Sequence, residues 1–359
     1  MNYLDANASE PLRPEARAAM LAALDHTGNP ASVHAAGRGA RRLLEDARES
    51  IAARFGASPA EVVFTSGGTE ADGLAVHALG HGRRLIVGAT EHDAIRAAAP
   101  EGTILPVDAD GVADPGALRL LLQGAPALVC LMLANNETGV IHPIAEIAAL
   151  CRAAGAWLHV DAVQAAGRLR FTLADLGADS MAISAHKLGG PAGAGALLLA
   201  RSVAVRPLLT GGGQERGRRG GTPAVAAIVG FAAACSAAEP NPGLGLLRDA
   251  IEQAAVAAGA MALGAGAPRI GNTTCLAFPG IAAQTQVIAL DLAGQQVSAG
   301  AACSSGKVAR SHVLDAMGAG VLAGEAIRVS LPWNATAADA DAFIAAYQVM
   351  VARLGRRAA

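Results

Sequence analysis

Between Ala60 and Ala200, short apolar runs alternate with helical patterns of apolar residues. The runs RRLIVGA (83–89), ALVCLML (127–133), AWLHVDA (156–162) and DSMAISA (179–185) each end where polar residues begin. Runs of this length that alternate with helical periodicity are typical of βαβ units. The pattern therefore predicts an α/β fold built around a mostly parallel sheet.

Helix boundary signals agree with this alternation. Asp114 and Pro115 form a cap followed by a first-turn proline, and Pro143 opens PIAEIAALCRAAG, whose apolar residues recur at helical spacing until Gly155. The segment AAEPNPGLG (237–245) breaks the pattern with two prolines and two glycines before another helix. We interpret this segment as the boundary between a large domain and a smaller C-terminal unit.

Polar residues cluster where the predicted strands end. In open α/β sheets, ligands bind beyond the carboxyl ends of the strands. We therefore expect the chemistry at the following positions: Glu91 and His92, Asn135 to Glu137, Asp161 to Gln164, and His186 with Lys187.

Composition narrows the class of protein. With 52% hydrophobic and 16% charged residues, the chain has the make-up of a well-buried globular enzyme. A net charge of -2 provides no electrostatic reason to expect nucleic acid or an anionic membrane as a partner. The N-terminus lacks the features of a signal peptide, and no apolar segment reaches membrane-spanning length. We expect a soluble cytoplasmic protein.

The cysteines give no sign of a disulfide framework or a structural metal site. They are odd in number and scattered, without CxxC or zinc spacing, which fits a reducing compartment. The five positions are Cys130, Cys151, Cys235, Cys275 and Cys303. Four of them lie in apolar stretches and are predicted to be buried. Cys303 lies instead in SAGAACSSGKVARS, among small residues that suit either close packing or a mobile nucleophile.

Two strand-end residues suggest pyridoxal phosphate chemistry. Lys187 follows the strand ISA and precedes the glycine-rich GGPAGAGA, and Asp161 ends LHVD. A lysine for a Schiff base and an acid for the pyridinium nitrogen are the minimal set for this cofactor. The alternatives are a solvated surface lysine and a helix-capping aspartate.

Other residues could complete such a site. The stretch FTSGGTEADGLAVHAL (64–79) offers a strand end, two glycines and a helix N-terminus, which could bind a phosphate or form an ordinary turn. His92 could stack on a planar ring or cap a helix. Gln164 and Asn136 could hydrogen-bond a ring hydroxyl or satisfy loops.

The motifs taken together resemble a known family. FTSGGTEA, EHDA, LANNETGVIHPI, HVDAVQAAGR, SAHKLGGP, GGGQERGRRGGT, SAGAACSSG and IRVSL resemble, in order and spacing, the cysteine desulfurases of the class V aminotransferase family. The resemblance runs from Tyr3 to Ser330. It implies the type I fold of pyridoxal-phosphate enzymes: a large domain with a mostly parallel seven-stranded sheet (14–244) and a smaller α+β domain (1–13 and 245–359).

The resemblance also implies roles for individual residues. Lys187 looks like the Schiff-base lysine, Asp161 the pyridinium partner and His92 the stacking residue and proton shuttle, with Gln164 and Asn136 at the ring hydroxyl. The implied phosphate contacts are Gly68, Thr69, Ser184, His186 and, from the other subunit of a homodimer, Thr222. Arg328 resembles the clamp for the substrate carboxylate, and Asn29 and Asn136 are expected near it.

Cys303 resembles the nucleophile of this family. The implied reaction removes sulfur from L-cysteine, releases L-alanine and leaves a persulfide on Cys303 for a sulfur acceptor or an iron–sulfur scaffold protein. No metal site is implied beyond a transient contact of Cys303 with an iron–sulfur cluster. Two alternatives remain open: a relative acting on selenocysteine or a sulfinate, and a non-catalytic sulfur-carrier scaffold.

Overall fold

The computed structural model describes residues 1–124, 126–200, 203–300 and 310–354. Its strands, in chain order, are β1 (Asn2–Tyr3), β2 (Val62–Thr65), β3 (Arg84–Gly88), β4 (Thr103–Leu105), β5 (Ala127–Met132), β6 (Trp157–Asp161), β7 (Ser180–Ser184), β8 (Gly195–Leu199), β9 (Met261–Leu263), β10 (Thr273–Ala277), β11 (Gln295–Gln296), β12 (Ser298–Ala299) and β13 (Ala326–Ser330).

The described residues also form α-helices. In chain order they are α1 (Pro14–Leu24), α2 (Ala35–Phe55), α3 (Gly68–Leu79), α4 (Asp93–Ala98), α5 (Pro115–Leu121), α6 (Ile144–Ala153), α7 (Leu173–Leu176), α8 (Val225–Ala237), α9 (Pro242–Ala257), α10 (Ala283–Leu292), α11 (His312–Ala316) and α12 (Ala337–Leu354). None of the helices in the described part of the chain combines the length and the apolar character needed to cross a lipid bilayer.

The main sheet has seven strands in the order β2-β8-β7-β6-β5-β3-β4. Strands β4, β3, β5, β6 and β7 pair in parallel, and β8 runs antiparallel to both β7 and β2. Every residue of β5, β7 and β8 is buried, as expected for central strands covered by helices on both faces. The predicted α/β fold with a mostly parallel sheet is confirmed.

The predicted strands and helices lie close to the observed ones. Each of the four apolar runs contains one strand of the sheet, namely β3, β5, β6 and β7. The Asp114 carboxylate accepts hydrogen bonds from the amides of Gly116 and Ala117 and so caps α5. The segment rich in proline and glycine (237–245) covers the last residue of α8, the connection to α9 and the first turn of α9. Because β3, β5, β6 and β7 are parallel, their polar carboxyl ends meet at one edge of the sheet.

A second sheet lies in the C-terminal part of the chain. It has four antiparallel strands in the order β12-β13-β10-β9, and β1 pairs in parallel with β11 beside it. Leu4 from the N-terminus is buried in the same apolar cluster as Ile327, Phe343 and Tyr347. The N-terminal residues therefore pack with the C-terminal part. The division of the chain at residues 13/14 and 244/245 stays a prediction.

Candidate active site

A cavity of about 310 Å³ lies at the carboxyl edge of the main sheet. Strand ends of the sheet form one wall, the N-terminal segment and β13 the other. Ten residues expected from the sequence line it: Gly68, Thr69, His92, Asn136, Asp161, Gln164, Ser184, His186, Lys187 and Arg328. Six further residues also line it: Asn7, Ala8, Asp72, Met132, Ala134 and Val163. The structure thus brings most of the predicted site into one space.

Two buried carboxyl groups lie on the floor of the cavity. Asp161 ends β6, and its Oδ1 accepts a hydrogen bond from the Val163 amide at 2.8 Å. Burial raises the pKa of Asp72 to about 7. Burial, together with the nearby Asp72, also raises the pKa of Asp161. This end of the cavity therefore favours a bound cation or a shared proton.

Asp72 is held from behind by a buried hydrogen-bonded chain. Its Oδ1 lies 3.1 Å from His159 Nε2, and His159 Nδ1 lies 2.8 Å from Ser180 Oγ. Burial lowers the pKa of His159 to about 4, so this imidazole is neutral at physiological pH. These two hydrogen bonds fix the orientation of the Asp72 carboxyl group without placing a positive charge beside it.

The N-terminus of α3 also lines the cavity, through Gly68 and Thr69. Gly67 precedes the helix in an extended conformation, and the first-turn amides of a helix have no partner within it. Ser184 Oγ is buried nearby and has no hydrogen-bond partner among the described residues. Burial and then the neighbouring Lys187 lower the pKa of His186 to about 4. Free amides and an unpaired hydroxyl together suit an anion.

Lys187 lies in the wall of the same cavity. It follows β7, and its Nζ donates hydrogen bonds to the carbonyl oxygens of Asn7 at 2.6 Å and Ala8 at 3.0 Å. The Asn7 side chain is itself held by hydrogen bonds with Asn272, Thr273 and the Asn136 carbonyl. The N-terminal segment therefore forms the wall against which Lys187 rests.

Three more predicted residues are placed in the cavity and also serve local structure. His92 Nδ1 accepts a hydrogen bond from the Ala94 amide and so caps α4. The Gln164 side chain donates to the Asn7 carbonyl and accepts from Arg168. The Asn136 carbonyl accepts a hydrogen bond from Arg328 Nη1 at 3.1 Å. Capping is thus observed for His92, and its stacking role stays a prediction.

Two predicted residues do not line this cavity. Asn29 lies in another cleft, where its Oδ1 accepts a hydrogen bond from the Ala31 amide. Thr222 lies in a third cleft, beside Ser66 and Arg219. Its expected role belongs to the site of a second subunit, and that role stays a prediction.

Cys303 lies outside the described residues, but the chain on both sides of 301–309 is described. Ser311 Oγ donates a hydrogen bond to the buried Glu137 Oε2 at 2.6 Å. A Cβ built on Gly300 would lie 2.8 Å from the same oxygen. Both flanks therefore converge on Glu137, the neighbour of cavity residue Asn136.

Sequence reasoning missed Asp5, Asn7 and Asp72. Asp5 and Asn7 lie in the motif YLDANAS, which had no periodic or capping signal of its own. They reach the site because β1 pairs with β11 and Asp5 forms a β-bridge with Ser330 of β13. Asp72 lies one turn into α3, where a carboxylate resembles any helix surface residue. Its burial at 1% exposed follows from packing against β6, with which α3 is in contact.

Comparison with known proteins places this geometry in a family. A family model described as Aminotransferase class-V matches residues 2–343. The IscS-like cysteine desulfurase of Mycobacterium tuberculosis is 41% identical, over 100% of this chain and 98% of that protein.

Solved structures agree with this match. The X-ray structure of a NifS-like protein from Rickettsia africae is 33% identical with a TM-score of 0.91, over 98% of this chain and 99% of that one. A structure of SspA in complex with cysteine is 28% identical with a TM-score of 0.83, over 92% of this chain and 99% of that one. The fold is therefore the type I fold of pyridoxal-phosphate enzymes, and the chain belongs to the class V aminotransferase family.

Proposed function

We propose that this protein is a cysteine desulfurase that uses pyridoxal 5′-phosphate to take sulfur from L-cysteine, releasing L-alanine and leaving a persulfide on Cys303. The observation that carries the proposal is the single cavity in which Lys187, Asp161 and the N-terminus of α3 meet, with Arg328 on its wall. Relatives named cysteine desulfurases, similar over nearly the whole chain, support it.

The cavity residues fit the cofactor. The class V aminotransferases depend on pyridoxal phosphate, and the unpaired Ser184 hydroxyl beside the α3 amides provides donors for its phosphate. In the same cavity, Asp161 would hold the proton of the ring nitrogen, with Asp72 close by. In the first turn of α3, Gly68 lets the helix approach Val163 closely, since a Cβ at this position would lie 2.7 Å from Val163 Cγ2. Lys187, in the wall of the same cavity, would bind the cofactor covalently.

Each side chain then has a task in the reaction. Bound pyridoxal phosphate supplies an electron sink for negative charge at the substrate Cα. Lys187 moves the Cα proton, and His92 serves as a second proton shuttle. Arg328 binds the α-carboxylate through its planar donors and orients the substrate.

Sulfur transfer is the task of Cys303. Its thiolate attacks the substrate sulfur, an S–S bond forms and the C–S bond breaks, and a proton completes the methyl group of L-alanine. The outer sulfur atom of the persulfide is then transferred to an acceptor or iron–sulfur scaffold protein, and the Cys303 thiol is restored. We also propose that the protein works as a homodimer in the cytoplasm, with Thr222 completing the phosphate site of the partner subunit.

The other four cysteines are poor alternatives for this step. All of them are buried. Burial raises the pKa of each thiol, to about 12 for Cys151. Since the thiolate is the reactive form, these residues are held as unreactive thiols.

The test is turnover of L-cysteine by the purified holoenzyme. We expect L-alanine and sulfide in equal amounts when a thiol reductant is present, and about one L-alanine per chain when it is absent. Cys303→Ala should abolish sulfide release, and Lys187→Ala should abolish both products. Cys151→Ala is the matched control and should behave like the wild type.

The alternatives give different results. Undiminished turnover of selenocysteine by Cys303→Ala would indicate a lyase that needs no protein thiol. Absence of both products and of a cofactor absorption band would indicate a non-catalytic sulfur-carrier scaffold.

A further inference from the structure

Arg328 is a buried cation in the wall of the cavity. It lies at the centre of β13, where it is paired with Cys275 of β10 and Ser298 of β12. Its side chain is only 5% exposed. A guanidinium stays charged at every pH a protein normally meets, so burial at this depth requires a counter-ion.

Asp5 is that counter-ion. Arg328 Nη2 donates a hydrogen bond to Asp5 Oδ1 at 2.7 Å. The position of Asp5 is set by the backbone, because it forms a β-bridge with Ser330, two residues beyond Arg328 on β13. The Ala6 amide donates to the Ser330 carbonyl in the same arrangement. Among the described residues, Asp5 is the carboxylate that forms an ion pair with Arg328.

Arg328 retains donors beyond this pair. Nη1 donates to the Asn136 carbonyl at 3.1 Å, while Nε is buried without a hydrogen-bond partner among the described residues. A guanidinium carries five N–H donors. The group can therefore bind a ligand carboxylate while Asp5 stays in place, and the ligand then shares one cation with a protein carboxylate.

We infer that Asp5 is a positioning residue that aligns Arg328 for the substrate α-carboxylate and, through its own negative charge, weakens the binding of that carboxylate. This inference rests on the proposed function, in which Arg328 binds L-cysteine. The short hydrogen bond from Nη2 holds the plane of the guanidinium, and like charges at one cation repel each other. L-Cysteine and the product L-alanine carry the same carboxylate, so Asp5 lowers the affinity for both and favours product release.

The experiment measures L-alanine binding to the holoenzyme by isothermal titration calorimetry. Asp5→Asn keeps an oxygen acceptor for Nη2 and removes the charge, so we expect the Kd for L-alanine to fall roughly threefold or more. The KM for L-cysteine should fall in proportion while kcat does not rise. Asp5→Ala also loses the acceptor, and its Kd should exceed that of Asp5→Asn because the guanidinium is no longer aligned.

Glu252→Gln is the matched control for loss of one carboxylate. Glu252 pairs with Arg269 at 2.6 Å and does not line the cavity, so its variant should bind L-alanine like the wild type. An unchanged or higher Kd in Asp5→Asn would overturn the effect of charge, and equal Kd values in Asp5→Asn and Asp5→Ala would overturn the alignment.

A further variant, Arg328→Gln, distinguishes failure of the proposed function from failure of the inference about Asp5. Arg328→Gln should weaken L-alanine binding strongly. If it does not, the assignment of Arg328 to the carboxylate is wrong, and the inference about Asp5 is overturned with it. If it does, a failed Asp5 result leaves the desulfurase proposal standing.

Discussion

At the scale of single residues, the site is marked by polar groups that the chain itself leaves unsatisfied. A buried hydroxyl without a hydrogen bond costs about 1–3 kcal/mol, and Ser184 Oγ is in that state beside the first turn of α3. Ser180, at the start of the same strand, is equally buried, but its Oγ is bonded to His159 at 2.8 Å. We therefore expect Ser184 to bind a ligand and Ser180 to stabilise the fold.

The difference between Ser184 and Ser180 predicts opposite effects of the two alanine substitutions on the stability of the apo protein. Ser184→Ala should weaken pyridoxal phosphate binding about tenfold or more, because a hydrogen bond to a charged group is lost, while the apo protein keeps or gains thermal stability. Ser180→Ala should instead lower the Tm of the apo protein. Equilibrium dialysis of the cofactor and thermal unfolding of the apo protein measure the two effects. Unchanged cofactor affinity in Ser184→Ala would remove this residue from the phosphate site.

At the scale of elements, α3 has to approach the strands very closely at its N-terminus. A Cβ at Gly68 would lie 2.7 Å from Val163 Cγ2 and 3.5 Å from Ser184 Cβ. Gly73 lies in the same helix, and a Cβ there would meet only Leu208 Cδ2, at 3.8 Å. Close approach is therefore needed at the first turn and not further along.

The two glycines provide a matched pair of variants. Gly68→Ala should weaken cofactor binding and destabilise the protein by about 1–3 kcal/mol, because Val163 has to move. Gly73→Ala should stabilise the protein by up to about 1 kcal/mol through helix propensity and leave cofactor binding unchanged. Cofactor titration and denaturant unfolding distinguish them. Equal effects of both substitutions would argue against a special fit at Gly68.

At the scale of the whole molecule, several titratable groups are buried in the main domain core and the cavity floor. Burial lowers the pKa of His142 to about 4, while it raises the pKa of Asp72 to about 7. In the folded state His142 resists protonation, so its contribution to stability is lost as the pH falls from about 6.5 to about 4. Asp72 has the opposite effect on stability, because its raised pKa means that the folded state favours the protonated carboxyl. Its contribution to the free energy of unfolding is therefore lost as the pH rises towards about 7.

His142→Gln isolates the histidine contribution. His142 accepts a hydrogen bond from the Ala113 amide at 3.1 Å, a contact that a glutamine oxygen can imitate. Between pH 7 and pH 5 the free energy of unfolding of the variant should fall by less than that of the wild type, the difference being on the order of 1–2 kcal/mol. Urea unfolding at both pH values measures it. If the free energy of unfolding of the variant falls between pH 7 and pH 5 by as much as that of the wild type, His142 does not have a lowered pKa in the folded state.

Much of this architecture follows from local pattern in the sequence. The buried parallel strand β5 is a continuous apolar run and β6 is interrupted only by His159 before its final aspartate. The polar carboxyl ends of the strands, with Asp161 and Lys187, could be placed at one edge of a sheet. Contacts that depend on distant pairing could not be predicted. Asp5 reaches Arg328 over 323 residues of chain, and no periodicity in YLDANAS indicates this. The position of Asn29 in a separate cleft likewise depends on tertiary packing.

The central claim is that sulfur passes from L-cysteine to one thiol, Cys303. The most direct test is mass spectrometry of peptides from the holoenzyme after brief incubation with L-cysteine and alkylation, without reductant. We predict a single added sulfur atom on the peptide that contains Cys303, and none on the peptides of Cys130 and Cys151. An adduct mainly on one of those buried residues, or no adduct while L-alanine is released, would contradict the account.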